Sequence, residues 1–142
     1  MGLFFDAAKY IKRVESPRVS GALDRRGQIS EYIVRYFEMY SHDYIQKVML
    51  SARVYAKDVM SEAEFSEAKT PEMQAITIII QVLHDFVSKG ALDELNYQRP
   101  LAAQEAFKMY SGMISKSIDL GMVDRKAGEK RIAAFYRQCD IS

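Results

Sequence analysis

Apolar residues recur along this chain in steps of three and four, and period-two alternation is not sustained anywhere. The pattern predicts helices throughout. The first covers about 3–15, with Leu3, Phe4, Ala7, Ala8, Ile11 and Val14 on one face and Lys9, Lys12 and Arg13 on the other. The stretch SPRVSG breaks it. A second helix is expected over about 28–40 and a third over about 42–59. Either Ser41 caps the third, or the two form one rod in which Asp43 and Lys47 pair across a turn. Ser61 and Glu64 have capping-box spacing and open a short helix over about 62–69.

Thr70-Pro71-Glu72 is a stronger start signal. It combines a capping hydroxyl, a proline at the first helical position and an anion at the positive end of the helix. That helix runs to about 89 and stops at Gly90. The one β-branched run, ITIII at 76–80, lies inside it and reads as helix. Pro100 opens a long helix that ends near Gly121, and Asp124 caps the last one, about 125–138. Short loops make successive helices pack antiparallel. The expected fold is all-α: one domain over 1–142, an antiparallel helical bundle of five to six helices.

Two short motifs recur. GALD stands at 21–24 and again at 90–93, and F-x-M-Y-S at 37–41 and again at 107–111, offsets of 69 and 70. Phe65 and Phe135 share the second offset. Two pseudo-symmetric halves, 1–70 and 71–142, would each be too small to bury their own apolar face and would close on one another. Coincidence among common helix residues is the plainer explanation.

Within the second and third helices Tyr32, Tyr36, Tyr40 and Tyr44 stand four residues apart. At 3.6 residues per turn they form a slanting stripe beside Ile29, Ile33, Phe37 and Val48. Such a stripe can edge the core, with each ring buried and its hydroxyl at the surface. It can also face a partner, since tyrosine is enriched in interface cores. Stacking on nucleic acid would need interleaved cations. Only Arg35 and Lys47 are near, against Glu31, Glu38 and Asp43. Methionine adapts to irregular partner surfaces. The candidate partner-binding set is therefore Tyr32, Tyr36, Met39, Tyr40 and Tyr44, with Tyr110 as the repeat counterpart.

Composition narrows the function classes. Apolar residues make up 49% of the 142 positions and charged residues 27%, the balance of an ordinary globular protein. The net charge is only +1, without the basic excess of a chain that lives on phosphate backbones. Basic residues nonetheless cluster at 9–26 and at 125–137, offset by an acidic stretch around 58–72. If both clusters fold onto one side, Arg25, Arg26, Arg125, Lys126, Lys130 and Arg131 would serve a small dimeric nucleic-acid-binding regulator. Separated patches of both signs also suit a homodimer.

Catalytic signatures are absent: no GxSxG, glycine-rich phosphate loop, HExxH or CxxC. His42, His84 and Cys139 lack the close spacing of metal ligands. No catalytic, cofactor or metal residue is therefore expected. One cysteine permits no internal disulfide and suits the cytoplasm. No apolar run reaches the length of a membrane span, and the N-terminus does not read as a secretion signal. The amphipathic 3–15 segment would dock on the bundle or lie on a membrane surface. The reading reached is a non-catalytic helical protein-interaction module of adaptor, chaperone or inhibitor type, with the nucleic-acid regulator as its alternative.

Overall fold

Five α-helices follow one another through residues 21–64 and 69–141, the part of the chain that the computed structural model describes. They are α1 (Gly21–Phe37), α2 (Asp43–Val54), α3 (Pro71–Ser88), α4 (Arg99–Asp119) and α5 (Arg125–Cys139). No strand occurs among the described residues. The predicted first helix, over 3–15, lies outside them.

The start and stop signals behave as their chemistry demands. Thr70 Oγ1 accepts the Met73 N–H at 3.2 Å, and Asp124 Oδ2 accepts the N–H groups of Lys126 and Ala127 at 3.1 and 3.4 Å. Gly90 and Gly121 follow α3 and α4 at φ 78° and 74°, where a side chain would be strained. The cap of α2 is not Ser41. His42 Nδ1 accepts the Tyr44 N–H at 3.0 Å, leaving α1 and α2 as two separate helices.

Other boundaries move. α1 is already helical at Gly21, the first described residue, ahead of the expected start near 28. After Val54 the backbone widens into a π-helical turn, Tyr55–Val59, and the predicted capping box opens a 3₁₀ turn, Glu62–Glu64, while 65–68 of the expected helix lie outside the described residues. There the Glu64 carboxylate does accept the Ser61 N–H, at 3.0 Å. A 3₁₀ segment, Ala91–Gln98, joins α3 to α4 and is kinked at Asn96 (φ 54°, ψ −123°). The repeated motifs take different conformations. Phe37 ends α1 and Met39 sits in a turn, whereas Phe107–Ser111 lies inside α4.

Helix α3 is the centre of the packing and touches each of the other four helices. This explains why ITIII is helical: Ile76, Ile78, Ile79 and Ile80 are all buried, so burial on several sides overrides the weak helix propensity of isoleucine. α1 and α2 run antiparallel, since Arg26 reaches the Ala56 carbonyl while Ser30 meets Arg53. α4 and α5 do the same, since Phe107 meets Tyr136 and Tyr110 meets Phe135. Their closest approach is at Gly128, where an added Cβ would lie 2.8 Å from Ile118 Cδ1. Among the described residues no single helix is long and apolar enough to cross a membrane.

Candidate functional site

Because α3 and α5 both lie against α4 but only lightly against each other, a groove opens between them. Its volume is about 770 Å³. One wall is α3, which presents Met73, Thr77, Ile80 and His84. The other is α5, which presents Arg131, Ala134, Phe135 and Gln138. Tyr110 and Ser117 of α4 make the floor, and the turn Leu120–Val123 also lines the space. Each wall therefore shows a seam spaced by three and four residues, the spacing that places side chains on one helix face.

The chemistry of the lining is sorted. Tyr110 lies flat against Phe135 and forms a rigid aromatic plate at the base. Two lining hydroxyls are tied to backbone: Thr77 Oγ1 donates to the Met73 carbonyl and Ser117 Oγ to the Met113 carbonyl, each at 3.0 Å. Polar groups are left at the edges, where Lys69, Gln81, His84, Arg131 and Gln138 are all exposed. The base is thus apolar and the rim polar, the arrangement of a protein-binding surface. No three His, Cys, Asp or Glu side chains among the described residues are grouped to hold a metal.

The tyrosine ladder does not form an open face. Tyr44 is buried, edge-on to Phe86 with centroids 5.7 Å apart. Tyr36 is half-buried and donates to the Glu72 carboxylate. Burial first, and that carboxylate second, push its phenol pKa well above the usual value. Tyr40 is half-buried, its pKa raised by burial and then by Glu105. Tyr32 is half-buried too, with the Arg35 guanidinium 5.2 Å from its ring centre. Tyr110 is buried and lines the groove. Of the six candidates only Met39, 90% exposed, projects freely. A step of four carries the stripe around the helix, and the turn at 38–42 then breaks it, so one end sinks into the core.

The two basic clusters also part company. Arg26 donates to the carbonyls of Ala56 (2.9 Å), Lys57 (3.0 Å) and Met60, and so satisfies the acceptors left open where α2 unwinds. Arg25 donates to Gln74 Oε1 at 2.8 Å and to the Lys69 carbonyl. Both are half-buried and hold the fold's own backbone. Arg125, Lys126, Lys130 and Arg131 are exposed on α5, and of these Arg131 lines the groove. The remaining members of the first cluster, Lys9, Lys12, Arg13 and Arg18, lie outside the described residues. Cys139 is fully buried and its thiol is pushed up to about 11 by burial, the opposite of a reactive thiolate.

No protein-family model, curated protein or solved structure matches this chain.

Proposed function

We propose that this protein is a non-catalytic interaction module: a single antiparallel bundle that receives a helix of a partner protein in the groove between α3, α4 and α5. The observation that carries the reading is the pair of facing seams, 73/77/80/84 and 131/134/135/138, over the Tyr110–Phe135 plate. Along α3 the seam runs from Met73 to His84, eleven steps of 1.5 Å or roughly 16 Å, which is about three turns of a docked helix. An amphipathic helix lying in an apolar groove is a recurring mode of recognition. What supports this over nucleic-acid binding is that Arg25 and Arg26 are engaged with internal carbonyls. A salt titration of duplex binding tests that alternative, because phosphate contacts weaken steeply with salt.

The direct test places a photo-crosslinking residue at Gln81 or Ala134, both exposed on the groove, and at Gln104, exposed on α4 away from it. In cells of the source organism the first two positions yield a common adduct with another protein and the third does not. Equal labelling at all three, or none at the groove, refutes the proposal.

A further inference from the structure

We infer that the partner helix is acidic along the edges of its apolar face, an inference that rests on the groove reading above. The chain as a whole is balanced, with 20 lysines and arginines against 19 acids. The groove is not. Lys69 and Arg131 line it, and among the described residues no carboxylate does. Neither Lys69 nor Arg131 has an ion-pair partner among the described residues. Of the carboxylates nearby, Glu72 accepts from Tyr36, Asp124 caps α5, and Asp85 lies 4.0 Å from His84 Nδ1. An occupant with acids at its margins meets cations at both walls, and a basic one meets like charge.

Other occupants fit less well. A small ligand would need polar groups converging inside the pocket to orient it. Here the hydroxyls of Thr77 and Ser117 are tied to backbone carbonyls, which leaves the Tyr110 phenol inside and the charged groups at the rim. The chain's own residues 1–20 carry Lys9, Lys12, Arg13 and Arg18 against Asp6 and Glu15, the wrong sign for this rim. In a second copy two carboxylates of the acidic stretch are already engaged: Glu64 accepts from Tyr55 and Ser61, and Glu72 from Tyr36.

The test is a display library of helical peptides, about fourteen residues or four turns long, with an apolar seam and random flanking positions. Selection uses the full chain, with counter-selection on Ala134→Trp, which fills the groove from an exposed site. Peptides recovered in this way are enriched in Asp and Glu beside the seam. Against the double variant Lys69→Glu/Arg131→Glu, with unchanged circular dichroism, they bind about tenfold more weakly at low salt, and the difference shrinks as salt rises. Groove-dependent binders with neutral or basic flanks overturn the acidic assignment and leave the groove reading standing. Binders indifferent to Ala134→Trp, or none at all, overturn both. Competition by a second copy or by laurate, with no acidic peptide recovered, overturns the assignment in favour of that occupant.

Discussion

The Tyr110 ring lies on the Phe135 ring with centroids 3.9 Å apart and planes only 4° from parallel. Both rings are buried, and they join α4 to α5 at the base of the groove. Phe135→Ala therefore does two things at once. It leaves a cavity in the core, at a cost of roughly 3–5 kcal/mol, and it removes half of the plate. Urea unfolding measures the first effect, and loss of the adduct at Gln81 under conditions where the variant is folded reports the second.

Arg26 satisfies three backbone carbonyls beyond the end of α2. Arg26→Met keeps much of the side-chain bulk and removes the donors, for a loss of about 2–3 kcal/mol. Arg26→Lys recovers only part of this, because one ammonium cannot reproduce the planar fork. Thermal denaturation ranks the three proteins, and hydrogen exchange locates the added opening in residues 55–60.

Tyr44 is the exception among the buried polar groups: among the described residues its hydroxyl has no hydrogen-bond partner. A buried hydroxyl without a partner costs stability. Tyr44→Phe should leave the ring packing intact and raise stability by about 1 kcal/mol. Equal or lower stability in urea contradicts that account of the site.

Tyr44 and Tyr36 make the fold sensitive to alkali. Burial raises both phenol pKa values in the folded chain, with Glu72 adding to the effect at Tyr36. Folding thus favours the neutral phenols. Their contribution is complete below the unfolded phenol value of about 10 and declines as pH rises past it towards the folded values. Absorbance at 295 nm should show these two phenolates appearing together with loss of helix. Tyr36→Phe, which also loses the Glu72 bond, should be less stable at neutral pH and flatter in alkali.

Gly128 sets the spacing of α4 and α5. A branched side chain there meets Ile118 Cδ1 and Ile114 Cγ2, both within contact distance of the Cβ alone. Gly128→Val should cost about 2–3 kcal/mol through overpacking. Gly128→Ala should cost less, since the ends of two isoleucines can shift and alanine favours the helix.

How much of this was legible in the sequence differs from element to element. α3, α4 and α5 were readable to within a residue or two, because Thr70-Pro71, Pro100, Asp124, Gly90 and Gly121 act locally and need no tertiary partner. The extension of α1 back to Gly21 and the π-helical turn after α2 were not readable. The turn's open carbonyls are satisfied by Arg26, some thirty residues away, and composition does not encode that contact. The tyrosine ladder was visible, but its exposure was not: which side of a helix is covered depends on where its neighbours lie. The groove is the reverse case. Its spacing stood in the sequence at 73/77/80/84 and 131/134/135/138, yet only the placement of α3 and α5 on either side of α4 makes a site of it.

Helix α3, in contact with all four of its neighbours, cannot be detached from the rest. Cutting the polypeptide at Lys89-Gly90 would separate it from α4 and α5, leaving an N-terminal fragment with a rod greasy on several sides and nothing to cover two of them. Such pieces should precipitate when expressed singly and become soluble only when co-expressed.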